Sequence, residues 1–219
     1  MKINILFFEV KKDISDKNKK LIKKVVFKHA KVAMKKLDID IINIVIYPNH
    51  HLVIPKIGLG GFAPNNEWIR LSIDPFREDR HIEDIINNII PLSVYHEINH
   101  VARWIKPGYG NNLLEAIISE GLAIIFAEEN WSLFQAPWGK YKKNEIERYM
   151  KILNNRDKNK DEDYNHMEWF FGKGKQKWMG YKLGAHIVRN VRKRHPKIDE
   201  KKLVHLDAKK IIKLSGLNL

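Results

Sequence analysis

The chain contains no cysteine among its 219 residues. Disulfides, thiolate metal ligands and a cysteine nucleophile are therefore excluded. A metal site, if there is one, must be built from histidine and carboxylate. No apolar run approaches the roughly 20 residues that a membrane-spanning helix needs. The opening segment Met1 to Phe8 is too short for a signal-peptide core and lacks a small-residue cleavage site, so it reads as a first strand. There is no internal repeat, and no linker long enough to divide the chain into separate domains. These absences together suggest a cytoplasmic protein without a membrane partner.

Acidic residues are also few. Against 26 Asp and Glu stand 40 Lys and Arg, a formal net charge of +14. The lysines come in pairs spread along the chain, such as Lys11 and Lys12, Lys23 and Lys24, Lys35 and Lys36, and Lys209 and Lys210. There is no single arginine-rich arm. Dispersed charge of this kind fits a solvated surface better than a nucleic-acid track. Two denser stretches, Lys173 to Lys177 and Arg189 to His195, could still meet an acidic partner.

What the chain does have is the run His96, Glu97, Ile98, Asn99, His100. It lies inside Leu92 to Trp104, which has helical character. Residues four apart lie about 40° apart around a helix, so both imidazoles leave one face. Two imidazoles on one face can hold one Zn²⁺. Glu97 lies about 100° round from His96, where it can reach a water but is poorly placed to ligate beside the histidines. Two nitrogen ligands, an open position and a nearby carboxylate are what metal-assisted hydrolysis requires.

A catalytic zinc site usually takes a third protein ligand. The turn signal Lys106 to Gly110 leads into Leu113 to Phe126, an apolar helical segment with Asn111 or Asn112 available as its cap. That segment carries Glu115 and Glu120. A carboxylate on a buried face is costly unless it is paired or metal-bound. Glu120 is followed by Gly121 and Ala123, small residues that allow helices to approach closely. Glu120 is the expected third ligand. Glu115, near the helix start, can be explained by the helix dipole alone.

His96, Glu97 and His100, then eighteen residues, then Ser119, Glu120, Gly121, Leu122 and Ala123, resemble the glutamate-zincin (gluzincin) pattern. With Arg103 and the stretch Gly180 to Val188 added, the resemblance narrows to the YjaZ-like family of predicted bacterial Zn-dependent proteases. It covers about residues 80–215. It implies Zn²⁺ on His96, His100 and Glu120, with Glu97 as general base. It also implies that Tyr181, at a Tyr-x-x-Gly helix start, donates a hydrogen bond to the oxyanion, with His166 or His186 as other candidates. A phenol is a good uncharged donor for that purpose. Two positions depart from the pattern. Ile124 stands where the thermolysin-like subgroup has an orienting Asp. Gly58 to Pro64 has none of the acidic residues that anchor a free amino terminus in the aminopeptidase subgroup. An endopeptidase acting on peptide or protein is therefore the expected activity. The alternative is a basic nucleic-acid-associated or partner-binding module with a structural or vestigial metal site.

Strands are expected at residues 2–9, Ile39 to Tyr47, and Glu67 to Asp74, the last half-exposed by its alternation. The last of these, or the segment before it, is the candidate edge strand for extended substrate. Helices are expected at 15–37, 80–90, 143–153, 178–194 and about 207–215. Residues 154–176 read as a flexible loop with a possible lid role. Strands before residue 75 and helices after it argue α+β. The expectation is one zincin-like catalytic domain. Residues 1–78 would form a sheet-rich lobe, and residues 79–219 a helical lobe carrying the metal site.

Overall fold

A computed structural model describes residues 1–110, 112–156, 161–172 and 176–219. The protein is α+β, with a small four-stranded mixed sheet near the N-terminus and a mostly helical remainder. Backbone contacts group the chain into two compact units, Met1–Ala102 with Ala127–Phe134, and Arg103–Phe126 with Gln135–Leu219.

The first unit begins with strand β1 (Lys2–Phe7), helix α1 (Asp16–Leu37) and strand β2 (Ile41–Pro48). Ser15 caps α1 by accepting from the Asn18 N–H, and Asp38 ends it in the left-handed region at φ 58°. The strands β3 (Leu59–Phe62) and β4 (Trp68–Ile73) follow, and the sheet order is β1-β2-β4-β3. β1, β2 and β4 run parallel, while β3 is antiparallel to β4. The register sets Ile5 beside Ile44, and Ile44 beside Ile69. Ile44, Ile46, Ile69 and Leu71 are fully buried, as are Ile22, Val26, Ala30 and Ala33 on one face of α1. Burying each large side chain of this kind contributes about 1.5–3 kcal/mol.

Two strand expectations need correction. β4 is interior, with Ile69, Leu71, Ser72 and Ile73 all buried, and is not the half-exposed strand its alternation suggested. The sheet edge beside it is β3, in the segment just before it, a strand the expected set lacked. Gly60 and Gly61 hid it, because glycine is a poor strand former.

Helix α2 (Asp79–Asp84) continues through a wider π turn, Ile85–Ile89, into helix α3 (Ile90–Ile105). Pro91 explains the π turn. It has no N–H, and its ring would collide with a carbonyl one turn back in a regular helix. The Asn88 carbonyl, in the same turn, accepts from the Trp131 indole at 2.9 Å. Trp131 also packs edge-on against His29, whose ring meets Tyr95 of α3.

The second unit is built on helix α4 (Leu113–Asn130, its last residues lying in the first unit) and helix α7 (Met179–Arg194). Around them lie α5 (Lys143–Asn154), α6 (His166–Phe171), α8 (Glu200–Val204) and α9 (Ala208–Ser215). α4 is capped by Asn112, whose side chain accepts from the Glu115 N–H at 3.0 Å. The other candidate cap, Asn111, is outside the described residues. Gly121 and Gly184 bring the α4 and α7 backbones into direct contact: a Cβ on Gly184 would lie 2.8 Å from Gly121 N. Ile117, Ile125, Leu183, Ile187 and Val188 fill the core beside that crossing.

The expected loop 154–176 is partly helical. α6 interrupts it, anchored by Phe170, which is fully buried under Gly180. Residues 157–160 and 173–175, including part of the basic stretch Lys173 to Lys177, are outside the described residues, and the lid reading falls partly on them. In the other basic stretch, Arg189 donates to the Gly139 carbonyl and Arg192 to the Ile198 carbonyl.

Candidate metal centre

α3 carries an unusual load for a buried helix. His96, Glu97, Asn99, His100 and Arg103 are all less than a tenth exposed. Polar side chains are seldom buried without partners or a ligand. His96 Nε2 and His100 Nε2 face each other at 3.1 Å, with ring planes 84° apart. Two imidazole nitrogens this close either share a proton or converge on a cation. Two ligands about 2.0–2.1 Å from a tetrahedral zinc ion sit about 3.3 Å apart, so the observed spacing accommodates a cation as well as a shared proton.

Glu97 points toward the edge strand. Its carboxylate lies against Gly61 of β3, where any side chain would collide with it. Gly61 was missed as a site residue. Its only signal is the Gly60–Gly61 pair.

Glu120 lies on α4, 4% exposed, one residue before the Gly121 crossing. Its Oε1 accepts a hydrogen bond from the Tyr109 hydroxyl. Burial first, then Glu120 and the hydroxyls of Tyr181 and Tyr164, push Tyr109 well above the ordinary range for a phenol. It therefore stays protonated and remains a donor. Tyr164 is raised for the same first reason, burial, with Glu120 adding to it. His166 is lowered by burial, partly offset by Glu120. Tyr109, Tyr164 and His166 thus gather in the electrostatic neighbourhood of Glu120, and Tyr181 lies near Tyr109. Tyr109 and Tyr164 carry no periodic or motif signal in the sequence.

Tyr181 stands in the first turn of α7, half-buried, its ring edge-on to Phe170 at 5.2 Å and Phe171 at 6.1 Å. His186 has a different neighbourhood. Its Nδ1 lies 3.2 Å from the Tyr141 hydroxyl, and burial, then Arg189, lower its pKa.

Glu115, the other carboxylate on α4, is already committed. Oε2 accepts from Arg103 at 2.5 Å, and Oε1 accepts from the Ala208 N–H at 2.8 Å. Arg103 is fully buried and gives three further hydrogen bonds, to Ser119 Oγ and the carbonyls of Val204 and Leu206.

His96 and His100 in the first unit each offer one imidazole nitrogen, and Glu120 in the second offers a carboxylate oxygen. A His, His, Glu group of this kind could bind a metal ion, and two nitrogens with one oxygen is a donor set that suits catalytic zinc. Among protein families, the chain matches the predicted Zn-dependent proteases (DUF2268) over residues 19–213, and it belongs to that family. No curated protein and no solved structure gave a significant match. Among the described residues, no helix is long and apolar enough to cross a membrane.

Proposed function

We propose that the protein is a gluzincin-type metallopeptidase, YjaZ-like in kind, that cleaves internal peptide bonds. His96, His100 and Glu120 would hold Zn²⁺. The two buried imidazole nitrogens facing each other on α3 are the observation that carries this reading. When bound, zinc supplies Lewis acidity, polarising a carbonyl and acidifying water toward a pKa of about 7. Glu97 would take the proton of the attacking water and pass it to the departing amine. Glu97 is buried, so the proton it takes is kept apart from bulk water.

Tyr181 would hydrogen-bond the developing oxyanion with a neutral phenol. The extended substrate would lie along β3, the edge strand that Glu97 touches through Gly61. The missing acidic residue in Gly58 to Pro64 favours endo- over aminopeptidase action. The general base gives the cleanest test. Wild type should degrade an unfolded protein substrate in a zinc-dependent way, and Glu97→Gln should keep the metal but lose the activity. Equal cleavage by both would overturn the reading.

A further inference from the structure

In the second unit, Glu120 sits at the end of a chain of hydrogen bonds that reaches the C-terminal helices. We infer that Tyr109 is the positioning residue for Glu120, and that Arg103 and Ser119 hold Tyr109 in place. The inference rests on Glu120 being the third zinc ligand.

The argument starts with what α4 lacks. Ile124 offers no hydrogen bond to the neighbouring ligands, so the orienting groups must come from elsewhere. A ligating carboxylate with free rotation about its last bond wastes its preorganisation. A donor on one oxygen fixes the carboxylate plane and leaves the other oxygen to ligate. The Tyr109 hydroxyl donates to Glu120 Oε1, while Oε2 is buried from solvent.

Tyr109 comes from the turn between α3 and α4, and a turn residue is a poor anchor unless it is itself held. Two contacts hold it. Its ring stacks on Trp104 at 5.8 Å with planes 22° apart. Its carbonyl accepts from Ser119 Oγ, the residue next to Glu120. Ser119 Oγ in turn accepts from Arg103 Nε at 2.6 Å. The Arg103 guanidinium is fixed at every side. It meets the Glu115 carboxylate and the carbonyls of Val204 and Leu206, at the end of α8, and Glu115 caps the start of α9 through Ala208. A planar fork with five fixed donors can hold such a junction, and a lysine cannot. The sequence between Val204 and Ala208 thus acts on Glu120 without touching it.

The test is metal affinity rather than activity. Zinc binding to the full chain should be measured by competition with a chromophoric chelator, and the Co²⁺-substituted protein by its visible absorption. Tyr109→Phe should bind zinc about 10–100-fold more weakly and shift the Co²⁺ bands, with the melting temperature of the metal-free chain little changed. Ser119→Ala should weaken zinc in the same direction by less. Arg103→Lys should resemble Ser119→Ala if it folds, and the two milder variants carry the test if it does not. Glu120→Ala is the reference. Loss of zinc in Glu120→Ala with wild-type affinity and spectrum in Tyr109→Phe overturns the positioning role and leaves the ligand assignment standing. Full zinc affinity in Glu120→Ala overturns both.

Discussion

The Glu97 carboxylate lies directly against Gly61: a Cβ on that glycine would stand 2.7 Å from Glu97 Cδ and 2.9 Å from Cγ. No side chain fits there unless the carboxylate moves. The glycine lets an edge strand run beside the residue assigned as general base.

Gly61→Ala is therefore expected to displace Glu97 while leaving the sheet intact. A shift of about 1 Å in a catalytic group can cost about 100-fold in rate. The expected outcome is a fall in kcat of that order with zinc content unchanged. Steady-state kinetics beside metal analysis checks it, and unchanged kcat would dissociate Gly61 from catalysis.

Gly184 makes a comparable contact in the second unit, against backbone rather than a movable side chain. Its Cβ would lie 2.8 Å from Gly121 N and 2.9 Å from Gly121 Cα. Gly184→Ala should push α4 and α7 apart and destabilise by about 1–3 kcal/mol, the usual cost of overpacking. Urea denaturation measures this, and a loss under about 0.5 kcal/mol would show that the crossing is slack.

Much of this was legible before any coordinates. The periodicity of α1 and α4 and the β-branched run of β2 translate directly into the observed elements. His96, Glu97 and His100 declare themselves because a helix puts i and i+4 side chains together. Other features depend on tertiary partners and leave no local trace. β3 hides behind two glycines whose purpose is to fit Leu52 and Glu97. α6 hides in a polar segment because one aromatic, Phe170, anchors it. Tyr109 looks like an ordinary turn residue, and its role comes from Glu120, eleven positions away in sequence. Glu115 could be read as a ligand or a dipole partner until Arg103 was seen beside it.

The histidines that burial depresses make the fold less stable in acid. His29 is 6% exposed, with Nδ1 3.3 Å from the Tyr95 hydroxyl. Burial, then Lys28, lowers its pKa below the ordinary value of 6.5. Tyr95 is raised by burial and stays neutral. The unfolded chain takes up a proton on His29 near pH 6.5, before the folded chain does, so stability rises with pH in this range. The contribution is complete above about pH 6.5 and is lost as pH falls toward the depressed folded value. His166 and His186 act in the same direction. His29→Gln should flatten the dependence of melting temperature on pH between about 7 and 5. An unchanged slope would show that His29 does not carry it.

Tyr181→Phe removes one hydroxyl from a ring held by Phe170 and Phe171. If the phenol meets the oxyanion, kcat should fall by about 10²–10³ while KM and zinc content hold. A variant with full activity would pass the role to Tyr164 or His166, which also lie near Glu120.

The most direct measurement is zinc stoichiometry of purified protein, wild type beside His96→Ala and Glu97→Gln. Wild type and Glu97→Gln should each carry about one zinc per chain, as a three-ligand site requires, and His96→Ala should lose most of it. Full zinc in His96→Ala, or none in wild type under zinc-replete conditions, would contradict the metallopeptidase assignment.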